Sequence, residues 1–324
     1  FKNCYNYVGG IRKETIIFSK NDYYQKIIFE KESSTWKKNK FSINNLNQIK
    51  KYMNNKFDQS TNVDNLMLQT LTKKDEQEKI ELKVSNYKST IVLFTNVTTD
   101  SDIFYKSNPF KNIFEWMSFT IDYYKNKTDH LIIIRIHPAE LFNRLGPVKD
   151  PMLKYLKTNH QDIFFPSSNF HIVKPEEKIN SLYLANLSNL CIVYGSKISL
   201  EIIFLKKRLI LVADNMIKNQ GFSYDPNTKR QYLYFLKNFN NLNNPIENIN
   251  LKIMYKFLFY IFFIVMRKIP NLITLKTASQ TNIDKNNFSQ GLQFKSNNFN
   301  MKKILEDENL DFIFNKIIKN KEIY

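Results

Sequence analysis

The chain is poor in cysteine, glycine, alanine and arginine. Its 324 residues include two Cys, six Gly and four Ala, and only six of its 48 basic residues are Arg. Two cysteines, Cys4 and Cys191, provide neither a disulfide framework nor a zinc site. Cys191 sits in the apolar run Leu190–Tyr194 and reads as a small core residue in a reducing, cytoplasmic protein. A spanning helix needs about 20 apolar residues. The longest candidate, 253–266 (IMYKFLFYIFFIVM), is shorter and carries Lys256. It reads either as a buried helix or as a membrane-facing one with Arg267 and Lys268 just beyond it. No apolar stretch near Phe1 has the form of a signal peptide. The chain opens on Phe rather than Met, so the expectation is a product that begins inside a longer protein.

What is abundant is lysine, and the formal charge is +18. Nucleic acid is not the expected partner. Base-edge and bidentate phosphate readout lean on Arg, and no nucleic-acid-binding motif is present. The scarcity of Ala beside abundant Lys, Asn and Ile suits a low-GC coding bias and a solvated Lys surface. The other reading of the charge is a basic face for sugar phosphates or an anionic inner-membrane surface, the latter giving peripheral attachment to the cytoplasmic membrane.

Three segments follow from composition and periodicity. Residues 1–85 are polar and weakly patterned, with Ile16–Phe18 as a strand-like run and Val63–Leu71 as a short helix capped by Asn62. Residues 86–240 alternate buried-type strands with helices. The strands are Ser89–Phe94, Leu131–Ile136, Phe170–Val173, Leu190–Tyr194 and Leu209–Val212; the helices are Phe110–Lys125, Glu176–Leu187 and Ser196–Lys206. Continuous apolar strands separated by helices predict an α/β fold, a doubly wound parallel sheet covered on both faces. Its ligands would bind beyond the carboxyl ends of the strands. Residues 241–324 read as helical, interrupted by a polar loop over about 274–299.

Three clusters fall at strand exits. In Arg135-Ile136-His137-Pro138-Ala139-Glu140, Pro138 stops the strand and biases His137 toward extended backbone, where an imidazole could donate to a phosphate oxygen. The alternative is an ordinary loop histidine. In Tyr194-Gly195-Ser196-Lys197-Ile198-Ser199-Leu200-Glu201 a tight turn opens a helix whose N–H groups, with the Ser196 hydroxyl and the Lys197 charge, suit phosphate. The alternative is a helix cap at Ser196 and a solvated Glu201. The GxxxxGK[ST] spacing is absent. The third cluster is the polar loop Lys218–Pro226, in which Asp225-Pro226 also has the form of a helix start.

Together these pieces resemble the GT-B-type glycosyltransferases of bacterial capsule and lipopolysaccharide biosynthesis, specifically their C-terminal, donor-binding half. The resemblance runs over about residues 90–240. It rests on Leu93-Phe94-Thr95-Asn96-Val97 with Asp100-Ser101, Phe114-Glu115-Trp116, Arg135–Glu140, Pro175–Ser181, Val193–Ser196 with Leu200-Glu201, and Gly221–Pro226, taken in order. It departs from the family at Gly195, at Lys197 and Ser199, and at Lys206-Lys207-Arg208, where Gly-Lys-Pro is usual.

The resemblance implies a Rossmann-like half of a GT-B fold and a metal-independent glycosyltransferase. Such an enzyme moves a sugar from a nucleotide-sugar donor to a glycan or lipid-linked glycan acceptor. It implies donor phosphate contacts from His137 and Ser196, ribose or sugar contacts from Glu201, and a cleft floor of Thr95 and Asn96. Gly195, Lys197 and Arg135 are the further donor-binding candidates. No cofactor and no metal ligand are expected, and a general base would come from a preceding N-terminal domain. A sugar-nucleotide epimerase or hydrolase, or a non-catalytic assembly or export protein of the same fold, is the alternative.

Overall fold

The structure, a computed structural model, describes residues 5–20, 35–58, 72, 74–98, 108–141, 151–247, 249–270, 273–275, 292–294 and 306–319. The chain divides into two compact units: Leu68–Asn250, and Phe1–Met67 together with Leu251–Tyr324. The two flanking segments of the sequence reading thus contribute to one unit. The expected helix at Val63–Leu71 lies outside the described residues.

The first unit holds a five-stranded, wholly parallel sheet. Its strands are β1 (Ser89–Phe94), β2 (His130–Arg135), β3 (Phe170–Val173), β4 (Leu190–Val193) and β5 (Leu209–Leu211), in the order β3-β2-β1-β4-β5. Every residue of β1, β4 and β5 is buried, as a sheet covered on both faces requires. The order reverses direction between β1 and β4, which makes that pair the topological switch point. The register also sets the strand ends level. Phe94 pairs with Arg135 and Val193, Arg135 with Val173, and Val193 with Leu211. The residues that follow each strand therefore share one rim.

The helices are α1 (Lys74–Ser85), α2 (Ile113–Tyr124), α3 (Met152–Asn159), α4 (Ser181–Leu187), α5 (Ser199–Phe204) and α6 (Lys229–Asn238). In α2, Ile113, Trp116, Met117, Thr120, Ile121 and Tyr124 form the buried face, and Asn112 caps the start by accepting from Glu115 N. Trp116 Nε1 and Thr120 Oγ1 both meet the Tyr232 hydroxyl of α6, at 2.9 and 2.7 Å. Trp116 is thus core, satisfied at its polar handle.

Several helix ends differ from the sequence reading: α2 opens at Ile113 under the Asn112 cap rather than at Phe110, and α5 opens at Ser199 rather than Ser196, so Ser196 neither starts nor caps it; three others have a local reason. The helix expected from Glu176 begins at Ser181, because the Asn180 side chain accepts from Leu182 N and Tyr183 N. α5 ends at Phe204. Lys206 N bonds Ile203 O at 3.0 Å and Lys207 N bonds Ile202 O at 3.2 Å, a Schellman stop with Lys206 at φ 58. Asp225-Pro226 does not open α6, which starts at Lys229 under a Thr228 cap.

The second unit contains the antiparallel pair Tyr5–Gly9 and Thr15–Lys20, extended by Arg267–Lys268, and helices at Thr35–Lys38, Ile43–Asp58, Leu251–Phe259 and Glu308–Ile318. Leu251–Phe259 runs on as a π-helix over Tyr260–Val265. The apolar 253–266 run is the core of this unit. Met254, Phe257, Leu258, Tyr260, Ile261, Phe262, Val265 and Met266 are buried; Trp36 packs edge-on against Phe257, and Tyr52 packs at a tilt against Phe262. Arg12 closes the helix end by donating to Phe262 O at 2.8 Å and Met266 O at 3.0 Å. Among the described residues no helix is long and apolar enough to cross a membrane. Within the expected polar loop, Ile273–Leu275 and Leu292–Phe294 pair as an antiparallel ribbon.

Candidate functional site at the switch point

The rim beyond β2, β1 and β4 gathers most of the residues singled out in the sequence. Thr95 follows β1 and is 1% exposed. Its N–H bonds Arg135 O at 3.2 Å, and its hydroxyl accepts from His137 N at 2.9 Å, so it ties the exits of β1 and β2 together. Asn96, next along the rim, is also buried.

His137 is half-buried, and its Nδ1 accepts from Ala139 N at 3.2 Å. Burial, reinforced by the positive charges of Arg135 and Lys197, pushes the ring down to about 4. The imidazole is therefore neutral at physiological pH. With Nδ1 acting as acceptor, the proton sits on Nε2, and the ring offers one N–H donor. The β2 exit and the β4–α5 turn are tied to one another through the end of β1, where His137 N donates to Thr95 Oγ1 and Tyr194 N donates to Phe94 O.

That turn, Gly195–Ile198, carries Gly195 buried and Ser196 and Lys197 half-buried. Tyr194 N bonds Phe94 O at 3.2 Å and fixes the turn against the end of β1. The helix that follows is only six residues long and has no side-chain cap. The helix-dipole contribution expected from the sequence is correspondingly small, and Lys197 and the hydroxyl of Ser196 are the polar groups the turn supplies. Glu201 sits on α5 at 4% exposure, which removes the reading of a solvated side chain.

Arg135 takes a different place. It is 4% exposed, donates Nη1 to Lys174 O at 2.7 Å, and faces the Ser181 hydroxyl at 3.5 Å. Burial lowers its pKa to about 10, against the attraction of Glu177. Its Nη1 and Nε bonds go to the β3–α4 connection, where it braces the rim.

Two residues that the sequence reading gave no donor-binding role shape the site. Glu140, three residues after His137, accepts from Met152 N at 3.1 Å. Burial raises it to about 7, against the opposing backbone N–H groups of Met152 and Thr98. Asn215, beyond β5, bonds the 195–199 turn from beneath. The Lys218–Pro226 loop is internally satisfied. Asp225 accepts from Ser223 Oγ at 2.6 Å and Asn219 N at 2.8 Å, and Lys218 Nζ donates to Val212 O at 3.1 Å. Among the described residues no group of three or more His, Cys, Asp or Glu could hold a metal ion.

Comparison with known proteins adds to this geometry. No family model matches the chain, and no curated protein sequence matches it. Among solved structures, the chain is similar to KpsC of Thermosulfurimonas dismutans, a beta Kdo 2,4 transferase. The TM-score is 0.50 at 10% identity, over 79% of this chain and 71% of that one. The chain shares its fold with this transferase. The beta Kdo 2,7 transferase of the same KpsC gives a TM-score of 0.44 at 13% identity, covering 95% and 78% of the two chains. A UDP-GlcNAc 2-epimerase from Neisseria meningitidis gives 0.36 at 15% identity, covering 58% and 47%. The doubly wound sheet and the fold expected from the GT-B resemblance are present.

Proposed function

We propose that the β2-β1-β4 rim binds the phosphate of a nucleotide-sugar, and that the protein is a glycosyltransferase extending a surface polysaccharide of the capsule or lipopolysaccharide kind. The carrying observation is that His137, with Nδ1 accepting and its proton on Nε2, and the turn bearing Lys197 are both bonded to the end of β1, beside the switch point. A phosphate oxygen can accept from the neutral N–H donor, and the lysine charge offsets the phosphate charge. In this reading His137, Ser196 and Lys197 contact phosphate, and Gly195 allows the close turn. Thr95 and Asn96 floor the cleft, and Glu201 meets the ribose or sugar hydroxyls. An acceptor hydroxyl oxygen bonds the sugar anomeric carbon and gives up its proton to a base, as the bond from that carbon to the phosphate oxygen breaks and the nucleotide leaves with the electron pair. Protein donors take the leaving negative charge, so the proposed reaction needs no metal. The Lys-rich surface would hold the enzyme peripherally on an anionic inner-membrane face, near a glycan or lipid-linked acceptor.

The test is incubation with a panel of sugar nucleotides and a polysaccharide acceptor, followed by chromatography of the products. Release of the nucleotide that depends on acceptor, with sugar incorporated in equal amount, is the expected result. Conversion of the sugar nucleotide to an epimer, or hydrolysis indifferent to acceptor, would overturn the transferase reading.

A further inference from the structure

We propose that Asn215 is the positioning residue of the phosphate-binding turn, an inference that rests on the nucleotide reading above. Asn215 stands just beyond β5, is 3% exposed, and belongs to none of the motifs that suggested the site. Its Nδ2 donates to Gly195 O and to Ser196 O, both at 2.9 Å. Its Oδ1 accepts from the Ser199 hydroxyl at 2.9 Å and from Ile217 N at 3.3 Å. Two donors and two acceptor lone pairs are the full capacity of a carboxamide, and all four are used. The network also fixes which way the amide points. A flipped amide would set its oxygen against two carbonyl oxygens and its NH₂ against the N–H of Ile217.

The consequence follows from peptide geometry. In a planar trans peptide the C=O and the next N–H point in opposite directions. Drawing the carbonyls of Gly195 and Ser196 onto Asn215 therefore turns the N–H groups of Ser196 and Lys197 away from it. The same two bonds fix the backbone from which the Ser196 hydroxyl and the Lys197 ammonium project. The connection 194–198 between β4 and the six-residue helix has few bonds of its own to hold such an arrangement, among them Ser199 N to Ser196 O at 3.3 Å. The carboxamide supplies them from the neighbouring strand exit.

Asn215→Asp tests this with minimal change in shape. The carboxylate keeps an acceptor for Ser199 and Ile217 but sets an oxygen against the Gly195 and Ser196 carbonyls, so the turn loses its two anchors. Binding is measured by calorimetry for wild type and variant. The probes are cytidine monophosphate and uridine, guanosine and adenosine diphosphates, each paired with its nucleoside. The expected result is a loss of about tenfold or more for the nucleotide the wild type binds, with its nucleoside changed less than about twofold. A residue with only a structural role would move both ligands together or neither. Where Asn215→Asp melts below the assay temperature, Asn215→Ser carries the test. Its hydroxyl oxygen takes the place of the Asn Cγ, one bond short of both carbonyls, so both anchors are lost and the expected nucleotide-only loss is again about tenfold or more. A variant that is folded and keeps the wild-type preference for nucleotide over nucleoside overturns the assignment of Asn215 alone. A wild type that binds no nucleotide overturns the nucleotide reading and this inference with it.

Discussion

Replacing His137 by alanine separates the phosphate-binding account from a bland structural role. The backbone of His137 donates its N–H to Thr95 Oγ1 and accepts from Glu140 N at its carbonyl, both of which alanine keeps, while the ring Nδ1 accepts from Ala139 N, which alanine loses. The lost local bond is a neutral one and costs about 1 kcal/mol of stability at most. The larger expected effect is on binding. One Nε2–H donated to a charged phosphate oxygen contributes roughly 1.5–3 kcal/mol, or about ten- to a hundredfold in affinity. The nucleotide should weaken by that factor, and the matching nucleoside should not. The protonation state adds a second, independent signature. The ring starts at about 4, so even a bound anion that raised it by about two units would leave it neutral above pH 6.5. The wild-type to His137→Ala affinity ratio, measured by calorimetry, should therefore stay flat from pH 6.5 to pH 8. A ratio that falls steeply across that range would mean that the ring binds as imidazolium. Equal losses for nucleotide and nucleoside would mean that His137 does not touch phosphate.

Three further outcomes follow from individual residues. Lys206→Gly should raise stability by about 1 kcal/mol in a denaturant melt, because Lys206 holds a left-handed backbone that glycine adopts freely; a neutral or lower stability would refute the strain. Glu140 has a folded pKa of about 7, above its ordinary 4.5, so between those values the folded state holds a proton the unfolded state has lost. Its contribution is thus full below pH 4.5 and is lost as pH rises through 7. Glu140→Gln should gain on wild type over that window, by about 1–2 kcal/mol once the half-buried position is allowed for, and a gap independent of pH would contradict this. Co-sedimentation with anionic liposomes should fall as salt rises toward about 0.1 M and beyond, while retention at high salt would reject attachment through lysine charge.

The parts of this fold legible in the sequence are those set by burial on two faces. Ser89–Phe94 and Phe170–Val173 coincide with the expected strands, and the others agree to within a residue. A strand packed by helices above and below must be apolar throughout, so its limits are written in composition. Helix ends were less legible because side-chain bonds move them. Asn180 starts α4 five residues after Glu176, and Lys206 takes a glycine-type stop that its identity does not announce. The pairing of Ile273–Leu275 with Leu292–Phe294 joins segments 17 or more residues apart within a stretch that reads as loop. In the candidate site, the rim positions of His137, Thr95 and Ser196 were visible from strand exits. The bonds of Asn215 to this turn were not, because its partners Gly195 and Ser196 lie 20 and 19 residues back in the chain. The same holds for Arg135, whose charge drew attention while its partner, Lys174 O, waits 39 residues ahead.

The most direct test of the central claim is a calorimetric titration of the protein with nucleoside mono- and diphosphates in the presence of a chelator. The account predicts saturable binding of at least one nucleotide with one site per chain, unchanged when the chelator is replaced by Mg²⁺. It also predicts that the bound nucleotide perturbs the His137 ring resonances in an NMR spectrum. Binding that appears only with the divalent metal, or no binding of any nucleotide, would contradict the phosphate site at the switch point between β1 and β4.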